Sequence, residues 1–288
     1  MHEMPPLPHD LPWATPAYLL LDGVSLPGLQ QHLHPWSNSV YCLYRHTRWH
    51  ELCEISPCLV VLNGRDDPLL AHFQQHAARE WGYLLFSDVE AFTLCKHWRH
   101  LLSVEQAEGV EVMPRIADPA VMQPLFARAE QAHSARWFGP VSHVCLPDGV
   151  QGCWWQYTQA AQANAEPKRY RLTDEELTAL GNVEFRTAVS AVSEHLHLHF
   201  PAFLATQTAA ERRQSVHSMM EEAYRQGFCS DQELTLYANV HGYLAGQPIS
   251  EDIVQLLTQS TPDTPLTRVK RAAELAERRA TERQGSLS

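Results

Sequence analysis

The 288 residues carry 22 basic against 33 acidic side chains, a formal net charge of −11, and 44% are hydrophobic. This composition belongs to a packed globular chain and excludes extensive disorder. The acidic balance, with only three lysines (Lys96, Lys168 and Lys270) among the basic residues, excludes nucleic acid and a polybasic membrane contact as expected partners.

Met1 to Asp10 contains no basic region followed by an apolar run, so no signal peptide is expected. Residues 17–21 form an apolar run closed by Asp22-Gly23, a strand and a turn. Leucines at 26, 29 and 33 predict a helix over 26–36, and 40–44 and 58–62 predict strands. A helix follows over 68–81, with Leu69, Leu70, Phe73, Ala77 and Trp81 on one face. Residues 83–86 predict a strand, Asp88 caps a helix running to about 102, and 110–116 predict a fifth strand. Asp118-Pro119 opens another helix, with proline in the first turn where its missing N–H costs nothing. Residues 141–146 and 153–158 predict a hairpin around Pro147-Asp148-Gly149. This alternation predicts an α/β lobe with a mainly parallel or mixed sheet.

The polar, alanine-rich stretch 159–167 predicts a linker between a lobe of residues 1–165 and an all-α lobe of residues 166–288. Thr173-Asp174-Glu175-Glu176 reads as a capping box opening a long helix. Further helices are predicted over 208–226, 231–244, 250–259 and 265–282, with Gly227 and Gly246 at C-terminal caps. Six basic and three acidic residues between 268 and 283 predict a solvated face laced with pairs three or four residues apart.

Chemistry-bearing patterns are sparse. His195, His197 and His199 alternate, but a helix leaves only His195 and His199 on one face. His72/His76 and His46/His50 are also four apart, and no His-Glu-x-x-His occurs, so no metal is expected. Gly23-Val24-Ser25-Leu26-Pro27 resembles a nucleophile elbow, although Pro27 replaces its last small residue and Ser25 reads better as a helix N-cap. Cys145 lies two residues from His143 with nothing to orient a base. Glycine-rich phosphate loops are absent from the sequence and no cofactor is expected. The seven cysteines have no Cys-x-x-Cys spacing and read as reduced thiols of a cytoplasmic protein. Trp154, Trp155 and Tyr157, with Arg136 and Trp137, are candidate partner-contact residues, since aromatic and arginine anchors dominate interfaces.

The order of short motifs adds a resemblance. A strand ending Leu20-Leu21-Asp22-Gly23 is followed by Glu54-Ile55-Ser56-Pro57-Cys58, Trp81-Gly82-Tyr83 and Cys95-Lys96-His97-Trp98-Arg99-His100. Arg115-Ile116-Ala117-Asp118-Pro119 and Arg136-Trp137-Phe138-Gly139-Pro140 complete the set. Together they resemble the bacterial type VI secretion effector chaperones, or adaptors, over about residues 17–145. Trp98 departs from that family's leucine-and-arginine pattern. The resemblance implies a non-enzymatic carrier whose partners are a secreted toxic effector and the spike protein at the tip of the secretion tube. It assigns the family's motif positions to Asp22, Gly23, Arg115, Asp118, Pro119, Phe138, Gly139 and Pro140, with structural roles. The alternatives are a hydrolase-like enzyme or immunity-type inhibitor using Ser25, Cys145 or a histidine site, and a self-assembling component of the same machine.

Overall fold

The computed structural model describes residues 4–36, 39–106, 108–159, 170–245, 247–259 and 262–286. The chain divides into two compact units, residues 1–181 and 182–288. The predicted linker, from residue 160 to 167, and the cap at Gly246 lie outside the described residues.

The first unit is built on a six-stranded sheet: β1 (Ala17–Leu21), β2 (Val40–Cys42), β3 (Cys58–Val61), β4 (Gly82–Phe86), β7 (His143–Asp148) and β8 (Cys153–Thr158). Their order is β2-β3-β1-β4-β7-β8, and a separate ribbon pairs β5 (Val104–Glu105) with β6 (Glu111–Val112). Every strand pairing in both sheets is antiparallel, which corrects the expected parallel or mixed sheet. The reason is topological. β1 inserts between β3 and β4, so these two run parallel to one another with helix α2 (Pro68–Gln75) crossing between them, yet neither touches the other. Their strands are buried on both faces, as in Tyr83-Leu84-Leu85-Phe86, and such continuous apolar runs are the pattern of parallel sheets too.

The Tyr83 ring meets Trp98 of α3 (Ala91–His100) at 6.4 Å and Phe126 of α4 (Pro119–Gln131) at 5.9 Å, which places both helices on one face. Trp154 meets Phe73 of α2 at 6.2 Å on the other. The outermost strands are covered by side chains. Arg99 of α3 donates to the carbonyls of Cys42 (3.2 Å) and Leu43 (2.9 Å) beside β2, and Glu130 of α4 accepts from the Thr158 N–H on β8 at 2.6 Å.

Several local expectations shift. The helix predicted over 26–36 is only α1 (Leu29–Leu33), which starts after Gly28 in left-handed backbone (φ 73°), and Ser25 bonds Asp22 instead of capping it. Helix α2 stops at Gln75 and is followed by a short 3-10 turn, Ala77–Arg79. α3 starts after Glu90, with no side-chain cap, rather than at Asp88.

The second unit is helical, comprising the later turns of α5 (Asp174–His199), then α6 (Ala209–Arg225), α7 (Asp231–Leu244), α8 (Glu251–Thr258) and α9 (Pro265–Ser286). Its core gathers Val192, Leu196, Met220, Phe228, Tyr237, Ile253 and Val269. Reciprocal capping boxes, Thr208 with Glu211 and Ser230 with Glu233, fix the starts of α6 and α7. At the end of α6 the N–H of Phe228 reaches the Ala223 carbonyl and that of Gly227 reaches Tyr224, a Schellman closure. On α9, Arg271 pairs with Asp263 and Arg279 with Asp252 of α8. Arg268 is buried and donates to the carbonyls of Leu257, Gln259 and Gln226. Among the described residues, no helix is long and apolar enough to cross a membrane.

Candidate interaction site

The motif residues of the first unit converge on one corner. β1 ends at Asp22, whose buried carboxylate accepts from the N–H groups of Val24 and Ser25 (both 3.2 Å), from the Ser25 hydroxyl (2.9 Å) and from the Arg115 guanidinium. Arg115 also donates to the Ser25 hydroxyl (2.9 Å) and pairs with Asp118 at 3.0 Å. Asp118 in turn caps α4 by accepting from the Ala120 N–H at 2.9 Å, with Pro119 in the first turn. Burial pushes the Asp118 carboxyl up, against the pull of Arg115. Gly23 has a packing reason: a Cβ there would lie 2.5 Å from the Ser56 carbonyl oxygen and 2.6 Å from the Ile55 carbonyl carbon. The turn is thus pressed backbone to backbone against the segment after β2.

That segment, His50–Ile55, forms two 3-10 turns kinked at Leu52. Gln30 of α1 holds it by donating to the Cys53 carbonyl at 2.7 Å. It presents Leu52 and Ile55 to solvent at 45% and 41% exposure, and Val24 on the adjoining turn is 46% exposed. Glu51 and Glu54 are exposed between them. These large apolar side chains are thus exposed on a segment that Gln30 holds in place.

A second cluster ties the start of α5 to the first unit. Glu176, buried, accepts from the Trp137 indole N–H (2.7 Å), the Tyr170 hydroxyl (2.9 Å) and the Thr173 backbone N–H (2.8 Å). The Thr173 hydroxyl accepts from the Glu176 N–H at 3.2 Å, which completes the predicted capping box. Burial, then the Glu176 charge, raises the Tyr170 hydroxyl pKa. Phe138 packs on Phe126 at 4.9 Å, and the Pro140 carbonyl accepts from the Ser87 hydroxyl at 2.6 Å. Gly139 (φ 53°) lies so close to His97 that a Cβ would come within 2.2 Å of its ring.

The five predicted partner-contact residues separate. Trp137 and Tyr157 are buried, the latter accepting a hydrogen bond from Gln123 of α4 at 2.6 Å. Trp154 and Trp155 are half-buried on opposite faces of β8, their indole N–H groups donating to the Pro5 carbonyl (2.8 Å) and Asp148 (3.3 Å). Arg136 lies over the Tyr170 ring at 4.2 Å.

The residues considered for catalysis are engaged otherwise. Ser25 is held between Asp22 and Arg115, and Cys145 is fully buried with its thiol pushed up to about 12 by that burial. His143 bonds Gln156 at 3.0 Å. The His195 and His199 rings lie 4.6 Å apart on α5, tilted by 41°, as the helical spacing predicts them to be neighbours, and His195 bonds Asn239 at 2.7 Å. Among the described residues no group of three potential ligands gathers for a metal. The exposed trio Val24, Leu52 and Ile55 escapes sequence reasoning, because two of its members sit in a stretch without a clear period.

Residues 17–136 match the family described as a domain of unknown function, DUF4123. This range holds the whole Asp22–Arg115–Asp118 corner and ends just before Trp137. The chain is also 30% identical over 268 residues to the accessory protein VasW of Vibrio cholerae serotype O1, a similarity spanning 90% of this chain and 87% of VasW. No solved structure matches. With the motif corner assembled and the similarity to VasW running through both units, the chain belongs to the DUF4123 family of type VI secretion effector chaperones, or adaptors.

Proposed function

We propose that this protein is a cytoplasmic adaptor that binds a cognate toxic effector and helps load it onto the spike protein at the tip of the secretion tube, without catalysing a reaction. The observation that carries this reading is the similarity to an accessory protein over nine tenths of the chain. The engagement of Ser25 by Asp22 and Arg115 and the deep burial of Cys145 favour a binding role over a hydrolytic one. We assign the first effector contact to Val24, Leu52 and Ile55, an apolar group set among Glu51 and Glu54 that favours an apolar segment flanked by basic residues. Trp154, Trp155 and Arg136 are proposed as further contacts at separate places on the first unit, while Trp137 and Tyr157 are buried and serve its core.

The test is co-expression of the tagged protein with the effector encoded beside it. The two are expected to co-elute at mild salt and together to capture the C-terminal region of the spike. Recovery of the adaptor alone under those conditions overturns the reading. The double variant V24D/L52D is expected to lose the effector while keeping the wild-type circular dichroism spectrum.

A further inference from the structure

Three of the seven cysteines gather under the exposed 3-10 segment. Cys42 closes β2, Cys58 opens β3 directly across from it, and Cys53 lies in the segment above. The Cys42 and Cys53 sulfurs are 3.5 Å apart, both as free thiols. Cys42 and Cys58 are buried, whereas Cys53 is partly open to solvent. The Cys58 thiol points elsewhere, to the Ser56 carbonyl at 3.6 Å.

We infer that Cys42 and Cys53 are a redox modification site, closed to a reversible disulfide by exchange with a small-molecule disulfide such as oxidised glutathione. A disulfide needs its sulfurs about 2.05 Å apart, so closure asks for a movement of roughly 1.5 Å from the 3.5 Å separation. Cys53, the more accessible of the two, attacks as thiolate one sulfur of the reagent and expels one thiolate, leaving a mixed disulfide. Cys42 then gives up its proton and attacks the Cys53 sulfur, expelling the second thiolate. In sum two protein thiols are oxidised to one disulfide, and one reagent disulfide is reduced to two thiols.

The surroundings set the order of attack. Burial pushes the Cys58 thiol up to about 12, which keeps it protonated and unreactive. Burial and the Cys42 thiol also raise Cys53, with the Arg45 charge pulling the other way, so exchange quickens as pH rises. In a reducing cytoplasm the pair stays open. Under disulfide stress it closes and fastens the segment carrying Leu52 and Ile55 to β2.

Trypsin makes the pairing readable. Arg45 is the first basic residue of the chain, so Cys42 falls on fragment 1–45, while Cys53 and Cys58 share fragment 49–65. The full chain, incubated with oxidised glutathione and digested without reductant, is expected to show fragments 1–45 and 49–65 linked, and dithiothreitol is expected to release them. The link is expected to persist in C58S and to vanish in C53S, and C42S is expected to stop as a glutathione adduct on Cys53. A link that survives C53S but not C58S, or a wild-type adduct on Cys53 that never closes onto Cys42, overturns the inference.

Discussion

Glu176 concentrates more of the first unit's polar bonding than any sequence signal around it suggests. A buried carboxylate receiving an indole N–H, a phenol and a backbone N–H leaves three donors stranded when it is removed. Glu176→Ala is therefore expected to cost about 3 kcal/mol in urea unfolding, whereas Trp137→Phe, which removes one donor and trims the buried indole to a phenyl ring, is expected to cost about 2 kcal/mol. His241 contributes to the pH dependence of stability. Burial lowers His241, whose Nε2 has no partner among the described residues. The folded state then binds fewer protons than the unfolded one, so the stability from neutral His241 is present above its ordinary value of 6.5 and is lost as pH falls through it. His241→Leu is expected to flatten the decline of the urea midpoint between neutral and mildly acidic pH. A variant whose acid decline matches wild type would sink this account.

At the scale of elements, Arg268 is the decisive connection in the second unit. From the first turns of α9 it reaches the carbonyls of Leu257 and Gln259 at the end of α8 and of Gln226 at the end of α6, and lies over the Phe228 ring at 5.1 Å. A cation among helix C-terminal carbonyls is favourable both as a donor and against the helix dipoles. Arg268→Met is expected to destabilise this unit by about 3 kcal/mol. In the sequence that arginine is indistinguishable from its exposed neighbours. Legible features share a local cause: the capping box at Thr173 and Glu176 is written in four residues, and the β7–β8 hairpin is legible too, although Pro147 and Asp148 pair within its strands and the turn falls at residues 149–152 rather than around 147–149. Illegible ones depend on chain return. The direction of β1 between β3 and β4, the Asp22–Arg115 pair separated by 93 positions and the meeting of Cys42 with Cys53 leave no periodic trace. Deeply buried antiparallel strands are hardest, because alternation vanishes when both faces are covered.

The whole molecule places its optical probes unevenly. All eight tryptophans lie between residues 13 and 155, inside the first unit, whereas the second contributes helix alone. Tryptophan fluorescence therefore follows one unit, and far-ultraviolet circular dichroism follows both. In Arg268→Met the dichroism transition is expected to begin at lower urea while the fluorescence midpoint stays at its wild-type value. Coincident shifts of both signals would mean that the two units unfold as one.

The covered flanks of the sheet bear on life at high concentration. An open strand at the edge of a sheet would invite further copies of the chain to add on, end without end. Arg99 at β2 and Glu130 at β8, which occupy hydrogen-bonding groups on the outer strands, are expected to act as stoppers against that polymerisation. Replacing both with alanine is expected to leave the monomer folded yet raise light scattering on concentration, with new intermolecular sheet in the infrared amide band. A variant as monodisperse as wild type would show that the flanks are guarded by something else. On this view the two side chains serve neither cargo nor core: they keep the sheet finite.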